Sequence, residues 1–264
     1  MLKCPVAREW EVAVYGRTVF TGACTILPVM LLLWHFYARD AHREPRAVLV
    51  RTFFLGLLAV VPVVAIALPL SLLEPKTAGP LSASLYEAFV LAAIPEELLK
   101  LVVIRRFSAR QRSFDEPMDG VVYGATAALG FAALENALYV MAGGWATALV
   151  RGVTAVPMHA AAGAILGHSV ARAQLSADGR RAVWKGLIAA VCVHGLYDFG
   201  LLGVANVAAG TAQGASLPGL EILGLLLLAL AVLVGSVVWT LRTVRRLRRE
   251  QLETEARGET AGAG

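Results

Sequence analysis

Charge is what this sequence has least of. Only 16% of its 264 residues are charged, where a soluble domain carries about a quarter, and 58% are hydrophobic, with a mean hydropathy of +0.66. That balance excludes an ordinary water-soluble domain and points to a protein solvated by lipid. Cysteine is almost as scarce. Cys4, Cys24 and Cys192 are odd in number and lack ligand spacing, which excludes a disulfide framework and a thiolate metal site; all three are expected to be reduced. No H-E-x-x-H occurs, so the common zinc-helix signature is absent as well. A cleavable leader is not expected either, because Glu9 and Glu11 interrupt the passage from Lys3 and Arg8 to the first apolar run.

Long apolar runs are what the chain does have. A membrane-spanning helix needs about 20 mostly apolar residues, and such runs occupy roughly residues 18–37, 48–73, 82–104, 119–141, 146–171, 186–207 and 219–240. The expected fold is therefore an all-α, polytopic bundle of about seven transmembrane helices. Arginine sorts the connections. Arg39, Arg43 and Arg46, then Arg105, Arg106, Arg110 and Arg112, then Arg172, Arg180, Arg181 and Lys185, and the six arginines of the tail all fall on one side. The other side has only Lys3, Arg8, Arg17 and Lys76, so the N-terminus is expected outside and the C-terminus in the cytoplasm of a bacterial plasma membrane.

Residues 1–241 read as one transmembrane domain with its motif-bearing core at 82–207. Residues 242–264 read as a basic, partly disordered cytoplasmic tail lying on an anionic leaflet. The G-x-x-x-G pairs Gly120/Gly124 and Gly163/Gly167 let helix backbones approach closely, which places the fourth and fifth spans centrally.

The few ionisable residues inside the spans carry the information. A charge at mid-membrane costs roughly 2.5–3.5 kcal/mol on insertion scales, yet the run I-P-E-E-L-L-K sets Glu96 and Glu97 side by side. At the helical rise, these glutamates, His159 and His194 all lie about 13 or 14 residues inward from the outer ends of three different spans. His194 and Asp198 are four apart on one helix face, the spacing by which a carboxylate fixes an imidazole tautomer. Pro95 and Pro157 stand just before the glutamates and His159, where they free backbone carbonyls and favour kinks lining a wet cavity.

Adjacent glutamates point about 100° apart on a helix, so one is expected to face the cavity while its neighbour pairs with Lys100; Glu97 is the preferred water-facing group. Glu135, Asn136 and Arg151 fall nearer the outer surface. A Glu135–Arg151 ion pair is expected there, with Asn136 a candidate oxyanion donor. A glutamate beside two histidines suggests hydrolysis by an activated water. The cofactor is left open: His159, His194 and Glu97 suit a divalent metal such as zinc, or the histidines act without one. Intramembrane Glu and His chains also build proton relays, so a proton-coupled carrier is an alternative, as is a non-catalytic scaffold.

The motifs P-E-E-L-L-K, residues 119–136 ending in L-E-N, M-H-A-A-A-G-A-I-L-G (158–167) and H-G-L-Y-D-F (194–199) resemble, in this order, the PrsW family of intramembrane proteases. That family is distantly related to the CAAX-processing and bacteriocin-processing membrane proteases. The resemblance implies a peptidase acting on a membrane-anchored protein, in the best-known case site-1 cleavage of an anti-sigma factor, with no nucleic-acid partner. It assigns catalytic roles to Glu96, Glu97, His159 and His194, with His194 and Asp198 matching the wider superfamily's H-x-x-x-N/D motif. Ala155 departs from the F-x-x-x-H of the CAAX relatives, which weakens transfer of prenyl-substrate recognition.

Overall fold

The computed structural model describes residues 5–74, 79–175, 179–211 and 219–262, and among these every regular element is helical. Cys4, Lys3 and Lys76 lie outside the described residues, and Cys24 and Cys192 are free thiols. Helix α1 is Pro5–Arg39; α2 (Arg46–Leu58) and α3 (Val60–Ser71) run on through Ala59 as one apolar stretch. α4 (Pro80–Tyr86), a π-helical segment (Glu87–Ala93) and α5 (Ile94–Arg106) follow one another directly. α6 spans Pro117–Val153, α7 Ala155–Leu175, α8 Gly179–Thr211 and α9 Gly219–Gly262.

Local chemistry explains the joints. Pro117 opens α6 at a position where its missing N–H costs nothing, and Glu116 and Asp119 close a reciprocal capping box around it. Gly144, at φ 72° and ψ −161°, then breaks α6 into residues 117–143 and 145–153. Only glycine enters that region freely, so the fourth and fifth expected spans meet in a hairpin there. The chain bends again at Thr154 (φ −122°, ψ −68°), three residues before Pro157, whose ring cannot donate back to the preceding turn. At Pro95 the outcome differs from a simple kink. The turn before it widens into the π-helix, and the Ile94 N–H donates to Phe89 O five residues back.

Among the described residues, five helical stretches are long and apolar enough to cross a membrane: Val19–Arg39, Arg46–Ser71, Pro117–Val153, Gly179–Gly210 and Gly219–Arg257. The α4–π–α5 stretch, divided into helical elements of 7, 7 and 13 residues, and α7 are not among them. Burial sorts the bundle into centre and rim. In α6, 72% of the most apolar window is buried, against 17% in α1 and 22% in α2–α3 and in α9. α6 is the axial helix, and the outer ones present Leu27, Trp34, Val61, Leu68 and Leu227 outward, as a lipid-facing belt does.

The glycines expected to bring spans four and five together do so. Gly120 and Gly124 lie against Gly167 and Gly163 in antiparallel register, so closely that a methyl group on Gly167 would stand 1.7 Å from Gly120 O. α9 continues to Gly262, with Val244 and Leu247 buried against Val29 and Phe36 of α1 and Met118 and Val121 of α6.

Candidate active site

The first turn of α5 places Glu96, Glu97 and Lys100 on one side of the helix, three and four residues apart. Lys100 is fully buried. Its Nζ donates to Glu97 Oε1 at 2.7 Å, to Glu96 Oε2 at 3.2 Å and to His159 Nδ1 at 3.0 Å, and it sits 4.3 Å from the Phe131 ring centroid. Both glutamates therefore reach the lysine, where one was expected to turn away. At this depth of burial such a cation offsets the desolvation of the two carboxylates.

The histidines arrive from other helices and carry matching supports. His159 of α7 turns Nδ1 toward Lys100 and Nε2 toward Glu135 Oε2 of α6, at 2.8 Å. Because Lys100 can only donate, Nδ1 accepts, and Nε2–H donates to Glu135. His194 of α8 turns Nδ1 toward Glu97 Oε1 at 2.8 Å, while Nε2 lies 3.1 Å from Asp198 Oδ2 and 3.8 Å from Glu96 Oε2. The two rings meet edge to face, 4.9 Å apart at 82°. Each imidazole thus presents Nδ1 inward and has Nε2 held by a carboxylate, the arrangement that fixes ring orientation in metal and acid–base sites.

These contacts bring together all the residues singled out at one depth: Glu96, Glu97, His159 and His194, with Asp198 and Lys100 beside them. Glu135 is closer to the centre than its position suggested. It forms the expected pair with Arg151, at 3.0 Å, and also supports His159 through the same oxygen. Asn136 accepts from Arg151 Nε at 2.7 Å, and its Nδ2 is buried without a partner, a free amide donor next to the site. Phe131, beneath Lys100, and Tyr139, whose ring centroid lies 3.9 Å from Arg151 Cζ, complete the α6 wall. Neither shows a signal in the sequence beyond its helical phase relative to Glu135.

The donor set fits a metal ion. One ligand atom from each of Glu96, Glu97, His159 and His194 lies within 4.8 Å of the others, and all four residues are buried. Glu97 Oε2 is buried with no hydrogen-bond partner, an oxygen free to ligate. Two imidazoles with two carboxylates form a nitrogen and oxygen set suited to zinc. In the structure Lys100 Nζ is the cation around which three of the four gather.

Residues 44–235 match the family described as PrsW family intramembrane metalloprotease. Among curated proteins, Protease PrsW of Bacillus subtilis (strain 168) is 37% identical over 184 residues, 69% of this chain and 82% of that protein. Protease PrsW of Geobacillus kaustophilus is 37% identical over 67% of this chain and 77% of its own, and that of Clostridioides difficile 26% identical over the same shares. No solved structure matches. The matched region contains every residue of the buried cluster, from Glu96 to Asp198, and the chain belongs to the PrsW family of intramembrane metalloproteases, a multi-pass bacterial membrane peptidase.

Proposed function

We propose that this peptidase hydrolyses a membrane-anchored protein, of the anti-sigma-factor class, at the buried cluster of Glu96, Glu97, His159 and His194. The observation that carries the reading is the convergence of those four side chains, from three separate helices, to within 4.8 Å of one another. The membrane-embedded domain is residues 1–241, crossing seven times with the arginine-rich ends of the helices in the cytoplasm and the N-terminus outside. The seven passes are α1, α2–α3, α4–π–α5, the first arm of α6, its second arm continued by α7, α8 and α9.

The two glutamates take different roles. Glu97 is enclosed, with Oε1 shared between Lys100 and His194, so it is fixed in place. Glu96 is held more loosely, at 3.2 and 3.8 Å from its partners, and keeps slight exposure at 5%. That makes Glu96, and not Glu97 as the sequence suggested, the general base that takes the proton from water, and Glu97 a ligand or anchor. His159, His194 and Glu97 would hold a divalent metal such as zinc, which when bound supplies Lewis acidity toward water and the scissile carbonyl. Asp198 and Glu135 keep the Nδ1 atoms of the histidines turned inward, and Asn136 Nδ2 donates to the oxyanion of the tetrahedral intermediate.

The test is cleavage of a reporter carrying a transmembrane substrate segment, with metal content measured on the same preparations. Glu96→Gln is expected to abolish cleavage while leaving bound metal and folding intact, and Glu97→Gln to lose both metal and activity. Full activity in both variants would overturn the proposal. Activity with no bound metal and no chelator sensitivity would overturn the metal assignment alone.

A further inference from the structure

At the arginine-rich end of the bundle, remote in sequence from the buried site, a second set of carboxylates gathers. Asp40 and Glu44 come from the connection after α1, and Asp119 from the first turn of α6. All three are buried, at 3%, 4% and 1% exposure, and one oxygen from each lies within 4.8 Å of the other two. Among the described residues none of the three forms an ion pair with a lysine or arginine, although Arg39, Arg43 and Arg46 flank them in sequence. Three carboxylates packed this closely repel one another unless protons or a cation neutralise them.

Their hydrogen bonds show which oxygens are engaged. Asp119 Oδ2 accepts from the Asp115 and Glu116 amides at 2.8 and 2.6 Å. Glu44 Oε2 accepts from the Tyr123 hydroxyl, which also meets Ser113, and the Glu44 and Asp119 carboxyl groups lie within hydrogen-bonding reach of each other. Asp40 Oδ1 accepts from Gln251 Nε2 at 2.8 Å and from the His42 amide at 3.1 Å. Asp40 Oδ2, on the same buried carboxylate, has no donor at all. Burying such an oxygen without a partner is costly, and it lies beside two other carboxylates.

We infer that Asp40, Glu44 and Asp119 form a second cation site, for a hard divalent ion of the calcium or magnesium class. The ligands are all oxygens, which favours such ions over zinc. The imidazole in the same connection, His42, is already spanned between Glu116 and Glu255. Calcium–oxygen distances put opposite ligands about 4.6–5.2 Å apart, so oxygens within 4.8 Å of one another fit around one ion. Water completes the coordination, as is usual for these ions. The bound ion clamps the α1–α2 connection to the start of α6, and Gln251 of α9 closes over the same place through Asp40, the Ala41 amide and Glu116.

The experiment uses the full-length protein purified in detergent and stripped with chelator at neutral pH. Terbium titration is read by emission sensitised through Tyr123, whose hydroxyl is bonded to Glu44. A saturable signal displaced by calcium or magnesium is expected, together with a calcium-dependent rise in the melting temperature. Asp40→Asn and Glu44→Gln are each expected to weaken binding at least tenfold, Tyr123→Phe to dim the emission, and Glu97→Gln to leave the signal intact. The unmodified protein tests the site even if a variant folds poorly. Absence of any displaceable signal would mean that the three groups hold protons instead, and would overturn the inference. A signal that survives both Asp40→Asn and Glu44→Gln, or disappears with Glu97→Gln, would overturn it as well.

Discussion

His159 of α7 and Glu135 of α6 meet at 2.8 Å across the Gly144 hairpin, through the same carboxylate oxygen that Arg151 approaches at 3.0 Å. One oxygen thus ties a site histidine to an arginine on the neighbouring arm. Glu135→Gln keeps the side chain's size but removes the charge that orients His159 and pairs with Arg151. Loss of such a support typically costs about 10–100-fold in activity or metal affinity. The expected result is a fall of that size in kcat with little change in KM, measured on a cleavable reporter, and Asp198→Asn should do the same through His194. A defect confined to KM would indicate a substrate contact instead.

The distance between expectation and structure at Glu135 shows what a sequence can reveal here. Depth counted along straight helices brought Glu96, Glu97, His159 and His194 together correctly, because each lies far from its helix ends and errors of a residue or two are small. It put Glu135 too near the surface. The first arm of α6 extends to residue 143, and the long glutamate side chain reaches back along the hairpin toward His159. Lys100 was legible as a partner of the glutamates from its i,i+3 and i,i+4 spacing. Its bond to His159 depends on the tertiary placement of α7, which no local pattern encodes. The packing of α9 beyond Arg242 was also illegible, since its arginines read as solvated charge while Thr243, Val244, Leu247 and Gln251 among them are buried.

The glycine face of the hairpin carries a sharp expectation. On Gly167, a Cβ would stand 1.7 Å from Gly120 O and 2.9 Å from Gly124 Cα, both backbone atoms that cannot swing aside. Gly167→Ala should force the arms apart and cost about 1–3 kcal/mol or more, seen as a lower melting temperature in detergent and reduced activity. A methyl group on Gly22 would meet nothing within 4 Å, so Gly22→Ala is the control and should be neutral or slightly stabilising. Equal effects at the two positions would contradict the close packing of α6 on α7.

The end of α9 separates a packed segment from a solvated one. Val244 and Leu247 are buried, and burying such a side chain is worth about 1.5–3 kcal/mol. Truncation after Arg242 should therefore lower the melting temperature clearly, whereas truncation after Gln251 should lower it much less, since Leu252 and Glu253 to Arg257 are already exposed. Indistinguishable melting of the two truncated proteins would show that the helical tail adds nothing to the fold.

Lys100 offers a way to separate charge balance from chemistry. Removing it as Lys100→Met leaves Glu96 and Glu97 buried together without their shared cation, and breaking a buried pair in this way costs about 3–5 kcal/mol. Adding Glu97→Gln removes one of the two stranded charges, so the double variant should be more stable than the sum of the single losses predicts. A coupling of about 0.5–3 kcal/mol is usual for residues in contact, and thermal unfolding of the four proteins measures it. Cleavage should remain absent in the double variant, because Glu97 is gone even though stability returns. Strict additivity in the unfolding data would mean that Lys100 and Glu97 are not coupled in the folded protein, against the 2.7 Å contact that joins them.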